Sequence, residues 1–152
     1  MNNPVQIRKY IEDILQNSRL AVLATEAHGQ PHASLITITP IQGIRQIIFA
    51  TYRNTRKFEN ILHNGRVAIL IQGEDLDSSN QQKGFALTGF GNTQEIGISE
   101  LEDAMHAHLE RHPDLVNFMS SGNLALIRIK VEEYQVVRGI DDVTWWPVED
   151  SS

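Results

Sequence analysis

The sequence predicts a mainly β protein with flanking helices, built as an antiparallel sheet curled into a barrel. Three observations predict it. Three β-rich runs, residues 20–25, 33–39 and 46–51, follow one another through short turns, which suits hairpins and leaves no room for helical crossovers. Residues 35–39 alternate apolar and hydroxyl side chains, as a half-buried strand does. The full order of elements reads α β β β α β β α β, so later strands also have neighbours to pair with.

Element by element, Asn3 caps a helix over residues 4–17, with Pro4 at its first position and Val5, Ile7, Ile11, Ile14 and Leu15 at helical spacing. Leu20 to Thr25 is a buried strand closed by the turn Glu26-Ala27-His28-Gly29-Gln30. Pro31 opens the second strand, residues 33–39, and Gln42-Gly43 turns the chain into the third. A helix over 55–62 and a strand over 67–72 follow. Residues 74–82 form a polar loop. The next strand, 84–93, carries Gly84, Gly89 and Gly91, which mark bends or close backbone approach. Ser99 caps a helix with Glu102 three residues on, and Pro113 stops it. Residues 125–137 alternate as the last strand, and 140–152 form a C-terminal tail.

The chain has 152 residues, which suits a single domain over 1–152. It carries 41% hydrophobic and 21% charged residues and no cysteine, so disulfides, thiolate catalysis and cysteine-ligated metals are excluded. A cysteine-free chain fits the cytoplasm. Met1-Asn2-Asn3-Pro4 does not open a signal peptide, and no apolar run approaches the ~20 residues that span a bilayer. The net charge of −6 and a pI near 5.4 argue against nucleic acid as partner.

One stretch, FATYRNTRKFENI at 49–61, carries the chemistry. A strand ends at Thr51, a polar turn follows, and a helix starts at Thr55 with Arg56 and Lys57 in its first turn. Free backbone N–H groups and the helix dipole favour an anion there, while two cations in a first turn oppose the dipole unless an anion lies between them. Residues 45–66 hold Arg45, Arg53, Arg56, Lys57 and Arg66 against Glu59 alone, a local +4 on an acidic chain. That pattern points to a small anionic ligand, a phosphate above all. The competing reading is two solvated surface cations.

At this point the residues resemble the FMN-binding split barrels, the pyridoxamine 5′-phosphate oxidase-like superfamily. LAVLATEAHGQPHASLITI resembles its opening hairpin, IIFATYRNTRKFENILHNGRVAILI its core, and FALTGFGNTQEI its later strand; the match spans about Ser18 to Arg138. The resemblance implies a six-stranded antiparallel Greek-key split barrel and a homodimer with FMN at the subunit interface. It implies that Thr51, Thr55, Arg56 and Lys57 hold the flavin phosphate. It places Ser34, Leu35, Ile36, Thr37 and Ala50 along the ring. Where true pyridoxamine phosphate oxidases carry an Arg and a Lys on the second strand, this chain has Ser34 and Thr39, and residues 140–147 show no match to their substrate-binding segment. The expectation is therefore an FMN-dependent oxidoreductase acting on an unidentified small molecule, and not a true pyridoxamine phosphate oxidase. The alternatives are a non-catalytic FMN-binding electron carrier or redox sensor, and a haem-binding split barrel with His63 as axial ligand.

Three further groups have competing readings. His106, His108 and His112 share one helix, and the spacing of the last two suits a metal, but no third ligand is evident and exposed histidines are expected. Trp145 and Trp146 either reach a flavin across the dimer or staple the C-terminus to the barrel. His28 and His32 flank the first turn, as acid–base groups or as surface histidines.

Overall fold

Asn3 starts the first helix, α1 (Pro4–Asn17): its side chain accepts from Val5 N at 2.9 Å, and Pro4 occupies the first turn, where no N–H is needed. The computed structural model describes residues 3–76 and 82–149. After α1 come β1 (Leu20–Ala27), β2 (Gln30–Thr37), β3 (Thr39–Ile41) and β4 (Gln46–Tyr52). Then follow α2 (Arg56–His63), β5 (Arg66–Leu76), β6 (Gln82–Glu95) and α3 (Ile98–Arg111). A 3-10 turn (Pro113–Leu115) leads into α4 (Val116–Met119), and β7 (Leu124–Gly139) and β8 (Asp142–Pro147) complete the chain. Among the described residues no helix is long and apolar enough to cross a membrane.

All strands pair antiparallel in one sheet of order β2-β1-β5-β6-β7-β4-β3, with β8 added to β7. The two strands at the ends of this order, β2 and β3, are separated in sequence by Ile38 alone. That continuity brings the ends of the sheet together and curls it into a half-barrel, the α+β split-barrel architecture. β7 is the strand on which the sheet splits. One edge pairs with β6 from Ile127 to Val137, while the other pairs with β4 from Leu124 to Lys130 and with β8 from Glu133 onward. The register slips at Phe90/Gly91, where β7 changes partner. A Cβ at Gly91 would lie 2.2 Å from Lys130 O, so only glycine fits this bulge.

The barrel interior is filled by Leu23, Ile47, Phe49, Ile69, Leu87 and Ile127, all at most 1% exposed. α1 closes it with Ile7, Ile11, Ile14 and Leu15, and α2 adds Phe58 and Ile61. Burying the four α1 side chains contributes about 6–12 kcal/mol as an upper estimate. Tyr134, fully buried, donates its hydroxyl to Ile44 O at 2.6 Å, and burial pushes its phenol well above the ordinary range. A second, smaller core forms outside the barrel, where α3 and α4 cover Ile48 of β4 and Leu126 of β7.

Several sequence expectations are corrected. The second strand ends at Thr37, because Ile38 O is taken by side chains, Arg111 Nε at 3.1 Å and His112 Nε2 at 2.7 Å, and leaves the ladder. The expected polar loop is shorter: β5 and β6 continue their pairing to Leu76↔Gln82, and residues 77–81 lie outside the described residues. The expected tail contains β8, whose pairing covers part of β7's free edge. Ser99 does not cap α3. The helix begins at Ile98 after Gly97, with no side-chain cap. α4 is a turn that the sequence does not announce, its four residues being too few for any periodicity to show.

Candidate functional site

The polar turn after β4 builds the site. Thr55 caps α2 by accepting from Phe58 N at 3.3 Å, and its hydroxyl donates to Tyr52 O at 3.0 Å. Thr51 Oγ1, buried, lies 2.9 Å from Thr55 Oγ1 and also reaches Tyr52 O at 3.1 Å. Two hydroxyls and the first turn of α2 therefore meet at one point. Lys57 stands beside them, half-buried, and burial lowers its pKa from the ordinary lysine value. Among the described residues no carboxylate pairs with it. These groups line a cleft of about 180 Å³ with Leu35, Ile36, Thr37, Ala50 and Tyr52, closed on the far side by His108, Leu115 and Phe118. Chemically the cleft offers one cation, two hydroxyls whose hydrogens turn to Tyr52 O and would swing to a ligand, and an apolar wall, a set that suits a phosphate ester.

The local excess of positive charge is half cancelled by residues distant in sequence. Arg53 makes a bidentate pair with Glu95 at 3.0 and 2.6 Å, and Arg66 pairs with Glu132 at 3.3 Å. Both carboxylates come from strands two places away in the sheet, which a one-dimensional charge count does not see. Arg56 does not join Lys57. It lies on the other side of α2, 4.0 Å from Glu59, in a recess of about 500 Å³ lined also by His28, His32, Asn60 and His63. The His28 and His63 rings meet edge-on at 4.5 Å, and among the described residues no three His, Cys, Asp or Glu side chains are grouped as a metal requires.

Of the expected site residues, Leu35, Ile36, Thr37, Ala50, Thr51, Thr55 and Lys57 line the one cleft. Ser34 does not. It shares the inward face of β2 with His32, and Ser34 Oγ and His32 Nδ1 are sealed from solvent without a partner. Trp145 and Trp146 lie on β8, paired with Gln135 and Tyr134 of β7, whereas Ala50 pairs with Leu126. Nine residues of strand separate Gln135 from Leu126, about 30 Å at roughly 3.3 Å per residue. Trp146 packs on the barrel core, and Trp145, half-exposed, stacks on Phe90 at 5.8 Å.

The histidines of α3 correct the sequence reading. His106 is exposed, 3.7 Å from Glu110, but His108 and His112 are 1% and 2% exposed. His108 Nδ1 lies 2.7 Å from Thr39 Oγ1, and burial, with His112 and Arg111 nearby, lowers its pKa to about 4. Burial likewise lowers His112, whose Nε2 donates to Ile38 O. The signal was present: Leu101, Ala104, His108 and His112 follow the three-and-four spacing of one helix face, so a histidine stood where an apolar residue was due.

A pyridoxamine 5′-phosphate oxidase homolog from Schizosaccharomyces pombe is 37% identical over 76 residues, covering 45% of this chain and 38% of that protein. Among solved structures, a haem-binding protein from Mycobacterium smegmatis superposes with a TM-score of 0.79 at 19% identity, over 92% of this chain and 57% of the other. A protein of the pyridoxinephosphate oxidase family from Clostridium acetobutylicum gives 0.71 at 11% identity, over 94% and 95% of the two chains. An FAD-binding protein from Mesorhizobium loti gives 0.70 at 16%, over 84% and 91%. At these identities the structures show the shared fold. The sequence family described as pyridoxamine 5′-phosphate oxidase matches residues 7–138, nearly the whole chain. The chain belongs to the pyridoxamine 5′-phosphate oxidase family.

Proposed function

We propose that the protein is an FMN-binding flavoprotein, an oxidoreductase acting on a small molecule, with the flavin phosphate held by Lys57, Thr51 and Thr55. The observation that carries this reading is Lys57: a half-buried ammonium with no carboxylate partner among the described residues, set against two hydroxyls at a helix start. A buried cation without a counter-ion is costly unless a ligand supplies one. The family and the FAD-binding structural relative support a flavin as that ligand. Bound there, FMN supplies hydride transfer at its N5 atom, and the chain's residues bind and orient it. A cysteine-free chain suits the cytoplasm.

The cleft, at about 180 Å³, is smaller than the ~300–1,000 Å³ of pockets that enclose a whole cofactor. A second subunit is the proposed missing wall. Leu35, Val22, Leu70, Thr88, Gln135 and Trp145 form one row of directly opposed residues across six strands, on the sheet face that carries no helix. The row starts at the cleft with Leu35 and ends at Trp145, about 24 Å along the curved sheet at roughly 4.8 Å per strand. A two-fold axis through its middle would set Trp145 of one subunit against Leu35 of the other, burying the exposed Leu35, Leu70 and Trp145.

Absorbance of the purified protein with added FMN tests the reading. Bound flavin gives a yellow protein whose spectrum departs from free FMN, and bleaching with turnover by NADH or NADPH separates an enzyme from an electron carrier. Haem is the competing reading, with His63 as its axial candidate, since His63 is exposed beside the larger recess. A Soret band on haem titration, together with indifference to FMN, would replace the flavin reading with that one.

A further inference from the structure

The most deeply buried polar side chain lining the cleft is His108, and its hydrogen bonds define its chemistry. Nδ1 lies 2.7 Å from Thr39 Oγ1. Thr39 is itself buried, and its hydroxyl has no other partner among the described residues. Were the ring proton on Nδ1, the Thr39 hydrogen would be shut in without an acceptor, which buried donors rarely tolerate. Thr39 therefore donates, Nδ1 accepts, and the ring proton sits on Nε2. Nε2 has no partner among the described residues. Neither is it one of the polar atoms sealed from solvent without a partner, which are His32 Nδ1, Ser34 Oγ and Arg128 Nε. With His108 lining the cleft, Nε2 is the ring nitrogen left uncommitted there.

The surroundings hold this state. His112 stands edge-on at 4.9 Å, with Nε2 committed to Ile38 O and Nδ1 facing Arg19 Nη1 at 3.5 Å. Arg111, next in the chain, spends its guanidinium on backbone carbonyls. Cations and burial on this side both oppose an imidazolium, so His108 is neutral at physiological pH. The cleft thus has two kinds of donor, a charged one at Lys57 and a neutral one at His108.

We propose that His108 is a ligand-contact residue whose Nε2–H donates to an uncharged acceptor, a hydroxyl or carbonyl oxygen or a ring nitrogen, next to the anionic group that Lys57 binds. The proposal rests on the flavin reading above, and in FMN the ribityl chain and the adjoining ring edge carry such acceptors. His108 would then read the part of the ligand that phosphate alone lacks.

Two measurements test it. In histidine-labelled wild type, two-bond ¹H–¹⁵N spectra report the tautomer directly, with His108 assigned by its loss in His108→Gln. The expected result is an Nε2–H imidazole whose Nε2 resonance moves when FMN is added. An Nδ1–H tautomer overturns the inference, whether or not any variant folds. In parallel, FMN and riboflavin are titrated against wild type, Lys57→Ala, His108→Phe and His108→Gln. His108→Phe is expected to weaken both flavins alike, by roughly three- to ten-fold as for one neutral hydrogen bond, with partial recovery in His108→Gln. Lys57→Ala is expected to weaken FMN alone. If His108→Phe binds both flavins as wild type does, or loses only FMN, the contact with an uncharged acceptor is refuted while the flavin reading stands. A wild type that ignores both flavins refutes the flavin reading itself, and the contact with it.

Discussion

Replacing Lys57 by Met should move ligand affinity and apo stability in opposite directions. The folded protein holds the Lys57 ammonium half-buried, with its pKa lowered by desolvation and no carboxylate partner among the described residues. The unfolded chain holds more protons on this group at alkaline pH, so the charged form costs the fold stability, and that cost fades as pH rises through the depressed folded value. Met keeps most of the stem's apolar contact and removes the charge. The apo variant should therefore melt at or slightly above the wild-type temperature. Binding goes the other way: one charge-assisted hydrogen bond to phosphate is worth ~1.5–3 kcal/mol, so FMN affinity should fall roughly ten- to a hundred-fold. Riboflavin affinity should not change. Fluorescence quenching on titration gives the affinities and a thermal melt the stability. A variant that binds FMN like wild type, or whose apo form loses several degrees, refutes the assignment of Lys57 to a ligand.

Other outcomes follow from the same geometry. Arg56→Ala should weaken FMN much less than Lys57→Met, because Arg56 lies in the other recess beside Glu59; equal losses would show that the two cations share one phosphate. Acid should unfold the protein partly through His108. Below its ordinary value of 6.5 the unfolded chain takes up a proton that the folded chain refuses until about pH 4, so stability falls across that window by up to about 3 kcal/mol. Urea midpoints measured from pH 7 to 4 should therefore drop less steeply in His108→Gln. Gly91→Ala should destabilise by more than about 2 kcal/mol, since its Cβ meets backbone at Lys130, whereas Gly122→Ala, with nothing within 4 Å, serves as the mild comparison. Trp145→Ala should shift the proposed dimer toward monomer in sedimentation with little change in fold, while Trp146→Ala, against the barrel core, should lower the melting temperature.

How much of this was legible in one dimension depends on the range of the interactions involved. The cap of α1 at Asn3, the start of α2 at Thr55 and the close backbone approach at Gly91 of β6 are local chemistry, and the sequence shows each of them. The clustering of Thr51, Thr55 and Lys57 was legible for the same reason, since one turn holds all three. Arg56 and Lys57 are neighbours in sequence yet diverge, because adjacent residues on a helix point about 100° apart. The pairing of Arg53 with Glu95 joins residues 42 apart, and no local pattern announces it. β8 was missed because its Trp-Trp-Pro sequence lacks alternation; it is stabilised by an open stretch of β7 and not by its own propensity. His108 was misread by composition: a histidine on a helix with charged neighbours looks exposed until the helix has something to pack against.

Arg111 ties three parts of the chain together. Its guanidinium donates to the carbonyls of Leu15, Gln16 and Ser18 where α1 gives way to β1, and to Ile38 O between β2 and β3. Ile38 O is also held by His112, one helical turn from the imidazole that borders the cleft. The seating of the N-terminal helix and the shape of the ligand cleft are thus mechanically one joint. In hydrogen exchange, amides at the end of α1 and those of Ile38 and Thr39 should open together as one unit, and a ligand that grips the cleft should slow exchange in a helix it never touches. Cutting the tie with Arg111→Met should uncouple them, leaving α1 to open while the cleft stays closed.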